Sequence, residues 1–345
     1  RAAELAREAG DARLLAQVQM RRGNALRMLG RMEEARAGLE DVIRLTEEAG
    51  DTRHLTYALE NVSVVYLLRG ELDTATKYVA RALRLAEQLG DPLGIELMTL
   101  RRGMNAFATG DWQRSRADFE RAVDATRQMD VSWVTMYAAL GWGMLCLARG
   151  DDDAGERHLA EAVALGERSG DLQALRWAQS ALAEHDILNG RPASARDRLE
   201  PLLDRPGQQE GMVTYLMPYL AWAYLDLDDL AHARVVHAEC VARATSERIR
   251  LAQVEALRIG ALLAQSENDP EEALRLCDEA VTLARSIAYP YAEAKALYTS
   301  GELFFRQGDT ARAREQLLAA QDVCARLGER AYAVRIERAL AQAAS

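Results

Sequence analysis

A glycine returns every twenty residues along most of this chain, and that spacing leaves few folds open. Gly10, Gly30, Gly50, Gly70, Gly90 and Gly110 stand in step; Asp130 takes the next slot, and Gly150, Gly170 and Gly190 resume the series. Glycine is favoured just past a helix C-terminus because it enters the left-handed conformation without a Cβ clash. An aspartate follows many of these slots, at Asp11, Asp51, Asp91, Asp111, Asp151 and Asp171. Its carboxylate suits the unpaired N–H groups that open the next helix. Pro92, Pro192, Pro270 and Pro290 fall two residues after a slot. That is the first helical position, where a missing N–H costs nothing. The spacing predicts helices of about 16–17 residues, some 25 Å long, joined by tight turns. Ala, Leu, Arg and Glu dominate, with only 7 prolines and 6% aromatic residues, a mixture that favours helix over strand.

A stricter pattern recurs every forty residues. Seven positions before each mid-unit turn stands a small residue: Gly23, Ser63, Gly103, Gly143, Ala183, Ala221, Ala261 and Gly301. Twelve positions later stands another: Ala35, Ala75, Ser115, Gly155, Ala195, Ala233, Ala273 and Ala313. Where two antiparallel helices cross, only small side chains let the axes approach closely enough for their ridges to interlock. Four positions further on comes a mostly larger plug, Leu39, Val79, Phe119, Leu159, Leu199 and Leu317, with His237 and Cys277 as weaker fits. Two consecutive helices therefore form one unit.

The stretch from Gly23 to Ala35, GNALRMLGRMEEA, resembles the centre of a tetratricopeptide repeat, and Gly103–Ser115 and Gly301–Ala313 follow it closely. The resemblance covers essentially the whole chain and implies an all-α, right-handed α-α superhelix. It implies a single solenoid over 1–345, with repeats at about 11–50, 51–90, 91–130, 131–170, 171–208, 209–248, 249–288 and 289–328. A partial helix is expected at 1–10 and a capping helix at 329–343. The usual unit is 34 residues and ends in a proline turn, whereas this one has 40 and ends in Gly-Asp. The longer form resembles the sensor regions of bacterial signal-transducing ATPases, such as LuxR-type regulators related to the maltose-regulon activator. HEAT-type repeats have a similar length but lack the paired small residues.

After Gly190 the turn slots fall at 228, 248, 268, 288, 308 and 328, two residues out of phase. The deletion lies between Leu199 and Met217, among Pro201, Pro206, Gly207, Gly211 and Pro218. Proline breaks a helix interior through a lost hydrogen bond and a ring clash. The second helix of unit five should be short, and Pro218 should kink or start the next helix. The stretch 200–218 reads either as a worn repeat or as a joint between two halves.

The net charge of −10, from 43 basic and 53 acidic residues, disfavours a nucleic-acid or anionic-membrane surface. Cys146, Cys240, Cys277 and Cys324 have no metal-ligand spacing and read as reduced, buried thiols of a cytoplasmic protein. No apolar run approaches the roughly 20 residues of a membrane span. The chain opens at Arg1 without a signal peptide and reads as a piece of a larger protein. Phosphate-binding loops, His-Glu-x-x-His pairs and Gly-x-Ser-x-Gly turns are missing. No catalytic residue, metal site or cofactor is expected, and the chain is not expected to be an enzyme.

What remains is surface. In tetratricopeptide arrays the first helix of each unit lines the concave side, so the inward positions would run −6, −3, +1 and +4 from the first small residue, one face by helical spacing. The middle units are apolar there: Tyr57, Val64 and Leu67; Leu97, Leu100, Met104 and Phe107; Tyr137, Leu140, Met144 and Leu147; then Trp177, Ile187, Tyr215, Trp222 and Leu225. The end units turn polar, with Gln17, Asn24 and Arg27 at one end and Glu255, Arg258, Gln265, Lys295 and Glu302 at the other. Such a stripe is either core between helices or a binding face. The candidate binding set is Tyr57, Leu100, Met104, Phe107, Tyr137, Met144, Trp177, Tyr215 and Trp222. Arg22 and Arg102 replace apolar residues of other units; each must pair with an acidic neighbour or meet an anionic ligand group. The resulting expectation is a non-catalytic module that binds a protein, a peptide or a small effector in its groove. It would be the sensor or scaffold of a larger regulator, contacting other domains of the same polypeptide but neither nucleic acid nor membrane. A free-standing adaptor and a peptide receptor are the alternatives.

Overall fold

The structure, a computed structural model, describes residues 12–205, 209–210 and 212–342. The expected partial helix at 1–10, and Pro206, Gly207 and Gly211 of the predicted joint, lie outside the described residues. Within them are seventeen α-helices and no strand. First helices of the units are α1 (Ala12–Met28), α3 (Thr52–Leu68), α5 (Pro92–Thr109), α7 (Ser132–Ala148), α9 (Leu172–Leu188), α11 (Val213–Asp226), α13 (Arg250–Ser266) and α15 (Pro290–Arg306). Second helices are α2 (Met32–Glu48), α4 (Leu72–Leu89), α6 (Trp112–Gln128), α8 (Asp152–Ser169), α10 (Pro192–Leu199), α12 (Leu230–Ser246), α14 (Pro270–Ser286) and α16 (Thr310–Leu327); α17 (Ala333–Gln342) closes the array.

The turns follow the chemistry of their residues. Every described glycine of the turn series has a positive φ, from +60° at Gly90 to +88° at Gly110. Asp130, Asp228, Arg248, Asn268 and Ala288 take the same left-handed conformation without being glycine. The aspartates that follow cap the next helix: the side chains of Asp51, Asp91, Asp111, Asp151 and Asp171 each accept a backbone N–H three residues on, as do Asp229, Asp269 and Asp309. Pro92, Pro192, Pro270 and Pro290 open their helices.

The paired small residues sit where the two helices of a unit cross. A Cβ added at Gly143 would stand 2.6 Å from the Leu159 side chain and 3.0 Å from the Gly155 carbonyl oxygen. One at Gly301 would meet Leu317 at 2.7 Å and the Ala313 carbonyl oxygen at 3.2 Å. In unit three the Ser115 hydroxyl donates to the Gly103 carbonyl at 3.0 Å. The plug thus fills the space that the small residue leaves, which is why volume is specified at both positions.

Curvature comes from unequal layers. Each first helix packs against the first helix of the next unit, whereas successive second helices make no more than marginal contact. First helices therefore form the inner layer. Thirteen residues of α7 are buried against four of α8, and a helix apolar all round belongs inside.

The coil then winds onto itself. Gly30 lies against Glu247, Gly70 against Ile287 and Gly110 against Leu327. The partners are 217 residues apart in each case (30 to 247, 70 to 287, 110 to 327), so the array comes round once in about five and a half 40-residue units. Arg330 N–H donates to the Ala148 carbonyl at 2.9 Å, and Arg248 pairs with Glu33 at 3.0 Å. The mid-unit turns of the first four units form one side of a seam; the turns around 248, 288 and 328 form the other. This closure covers the concave groove that the resemblance implies.

At the register break, α10 has 8 residues and runs into a short 3-10 turn, Glu200–Leu202. Pro218 falls inside α11 rather than at its start. Its missing N–H frees the carbonyl of Thr214 four residues earlier, and the Cys240 thiol donates there at 3.8 Å. All four cysteines are free and buried. No helix among the described residues is long and apolar enough to cross a membrane.

Candidate binding pocket

The inner layer converges on a half-enclosed pocket of about 150 Å³ near the middle of the coil. Its walls come from both sides of the seam. Met104 and Phe107 of α5, Met144 of α7, Trp177 of α9 and Tyr215 of α11 line it, joined by Tyr289 and Tyr291 at the start of α15. The lining is mostly apolar, and the aromatic rings pack edge to face: Trp177 against Tyr215 with centroids 5.5 Å apart, and Phe107 against Tyr291 at 6.0 Å. Two polar atoms in this wall, Trp177 Nε1 and the Tyr215 hydroxyl, are buried and have no hydrogen-bond partner among the described residues. Burial holds the Tyr215 phenol well above its ordinary pKa, so it stays a donor.

Beside the pocket lies a buried ionic cluster. Lys295 of α15 pairs with Glu184 of α9 at 3.1 Å and with Glu255 of α13. Arg258 Nε donates to Glu255 at 2.9 Å, and the Tyr332 hydroxyl donates to Glu184 at 2.8 Å. Burial pushes the Glu255 carboxyl up, but Lys295 and Arg258 outweigh it and hold it below its ordinary range. Burial pulls the Lys295 ammonium down, yet Glu184 and Glu255 leave it raised. Both signs are therefore charged at neutral pH and paired with one another, although Arg258 Nη2 is buried without a hydrogen-bond partner among the described residues. At the other end Arg27, also buried, donates to Gln173 at 2.9 Å. Four of the polar inward residues of the end units thus do not face a wet opening. The winding brings Arg27, Glu255, Arg258 and Lys295 into buried pairings, whereas Gln17 is exposed and Asn24 Oδ1 and Gln265 Oε1 are buried without a hydrogen-bond partner among the described residues.

The predicted binding set divides. Met104, Phe107, Met144, Trp177 and Tyr215 meet in the pocket; the other four lie outside its lining. Tyr57 and Tyr137 act as struts: their hydroxyls donate to Asp91 (3.3 Å) and Asp171 (3.0 Å), the capping aspartates of the following units. Leu100 is fully buried in the core. Trp222 stacks on the Arg258 guanidinium, 4.4 Å from its ring centroid. Arg102 engages Asp118 through two hydrogen bonds of 2.7 Å, and Arg22 is exposed on α1. The inward series could have yielded Glu184, at +1 in unit five. Tyr289 stands at a turn and Tyr291 in the first turn of α15, outside any such series, and only the closure brings them in.

With this geometry in view, residues 14–88 match the tetratricopeptide repeat family. Over its first two units the chain is thus similar to tetratricopeptide repeats. Residues 100–188 match a second family, described as anaphase-promoting complex subunit 5. No curated protein sequence matches the chain. Among solved structures, a Rap conjugation gene regulator of a plasmid, in complex with a peptide, superposes with a TM-score of 0.65 at 11% identity, over 94% of this chain and 97% of that one. The apo quorum sensor NprR from B. thuringiensis gives 0.56 at 12% identity, over 93% and 91%. A Rap protein complexed with competence and sporulation factor gives 0.56 at 12%, over 95% and 97%. At these identities the likeness is one of fold, and it agrees with the repeat solenoid rather than with a HEAT array.

Proposed function

We propose that the chain is the non-catalytic sensor module of a signalling regulator, and that its effector enters the inner pocket. One observation carries the reading: a single pocket draws walls from α5 and α7 on one side of the seam and from Leu251 of α13, Tyr289 and Tyr291 at the start of α15 and Ala331 on the other, with α9 and α11 between them. A ligand there touches both sides of the closure at once, so its differential affinity for the wound and unwound coil shifts their balance. That is the physical requirement for a sensor, since a ligand equally at home in both states shifts nothing. The length of the repeat, like that of regulator sensor regions, supports a place within a larger polypeptide with an ATPase or DNA-reading part elsewhere.

A second reading, peptide reception, is favoured by two fold neighbours, one complexed with competence and sporulation factor and one with a peptide. An extended peptide exceeds the pocket of about 150 Å³, so this reading requires the seam to part. Both are tested by screening neutral and charged small molecules and short peptides by thermal shift on the full chain and on Ala181→Phe, which fills the pocket. Hits should vanish in the filled variant. A ligand whose shift survives the filling refutes the site.

A further inference from the structure

We infer that the pocket selects an uncharged, ring-sized molecule carrying a hydrogen-bond acceptor, such as a ketone, ester or ether, and holds it on Trp177 and Tyr215. The inference rests on the reading of the pocket as the effector site and adds the chemical class of the occupant. Size comes first. The space of about 150 Å³ equals that of an engineered protein cavity that takes up one benzene, so a single ring fits and an extended chain does not.

Polarity comes second. Trp177 Nε1–H and the Tyr215 hydroxyl are both buried in the lining, and neither has a partner among the described residues. A buried donor left unpaired is costly, so native interiors nearly always satisfy it. Two such donors on touching rings ask for one acceptor between them. A hydrocarbon would leave both orphaned, and a ligand with only donors could satisfy the Tyr215 oxygen but would leave Trp177 Nε1–H unpaired.

Charge comes third. Glu184, the carboxylate in the lining, is already held by Lys295 and Tyr332. Lys295 lies 5.0 Å from the Tyr291 ring and also pairs with Glu255, so the aromatic face that an organic cation would seek already faces an ammonium. At the rim His185 stands 3.3 Å from Glu156. An ionic ligand would lose its hydration and find no free counter-charge. A neutral one avoids that loss.

The test titrates three probes of one size into the full chain by calorimetry: acetophenone as the neutral acceptor, ethylbenzene as the isostere without it, and benzoate as the charged analogue. Acetophenone is expected to bind at least tenfold tighter than ethylbenzene, with benzoate weakest. Tyr215→Phe keeps the ring and removes one donor; Trp177→Phe keeps an aromatic side chain, a smaller one, and removes the other. Each should narrow the acetophenone-to-ethylbenzene affinity ratio within the same variant while circular dichroism stays unchanged, and in Tyr215→Phe the ethylbenzene affinity itself should hold. Benzoate binding as tightly as acetophenone overturns the proposal, and so does acetophenone binding that is indifferent to both variants. The two levels of failure are separable. If ethylbenzene binds and is lost in Ala181→Phe while acetophenone shows no advantage, the ligand class falls and the pocket stands. If no ring binds and the filled variant keeps every other ligand response, both fall.

Discussion

Two sets of turns in this molecule look alike in sequence and differ in what surrounds them. The mid-unit turns at Gly30, Gly70 and Gly110 press on the next winding of the coil, and a Cβ there would come within 3.2 Å of Glu247, of Ile287 and of Pro290 and Leu327. The turns between units at Gly50, Gly90 and Gly170 have nothing within 4 Å of the same virtual atom. Both sets need glycine for the left-handed backbone; only the first needs it also for space. Across the seam the corresponding slots hold Arg248 and Ala288, at φ of +56° and +53°. The seam therefore sets hollows on one side against side chains on the other.

The comparison can be broken most forcefully at the ionic cluster that ties the windings together. Lys295→Met leaves Glu184 and Glu255 buried with their shared cation gone, and such a loss destabilises by about 3–5 kcal/mol. A urea midpoint close to that of the parent would show that the inner closure contributes little. Next in size is the contrast between seam and rim. Gly50→Ala should cost about 1–2 kcal/mol from the backbone alone. Gly70→Ala should cost at least about 1 kcal/mol more, because the added methyl overpacks against Ile287 and Arg250. Equal melting losses would dissolve the distinction. Smaller again is Ala288→Gly, which relieves a left-handed alanine and should raise stability by about 0.5–1 kcal/mol. A loss of stability there would mean that the alanine methyl packs in the seam.

The smallest effect is a pH trend. Burial pushes the carboxyls of Glu247 and Glu329, both on the C-terminal side of the seam, above their ordinary value. A carboxyl raised in the folded state binds its proton more tightly there, so its stabilisation is full at low pH and fades as pH rises through the folded value. Amide exchange at Gly30 and Ala148 should slow as pH falls from neutrality toward the ordinary range near 4.5, after correction for the intrinsic rate, while exchange at Gly50 and Gly90 should not. Identical corrected trends at both sets would remove the coupling.

Legibility in the sequence tracked the range of the interaction. Gly–Asp turns, aspartate caps and proline helix starts are local, and each shows in a few neighbouring residues. The small-residue pairs span only twelve positions, and the structure places Gly143 against Gly155 and Leu159. Inward phase was readable too, since Met104, Phe107, Met144, Trp177 and Tyr215 do meet. Beyond one unit the signal fades. Nothing near Tyr57 or Tyr137 marks them as struts to an aspartate 34 residues on, and an exposed-looking Lys295 gives no hint of Glu184.

The amino-acid order by itself determined the helix pair, its turns and its repetition, because helix hydrogen bonds, caps and crossing volumes are decided within about forty residues. Only the tertiary structure decided that the coil closes after about five and a half units and gathers a ring-sized pocket at its centre. That closure depends on the small rotation between neighbouring units, which accumulates along the array, so no single repeat carries it.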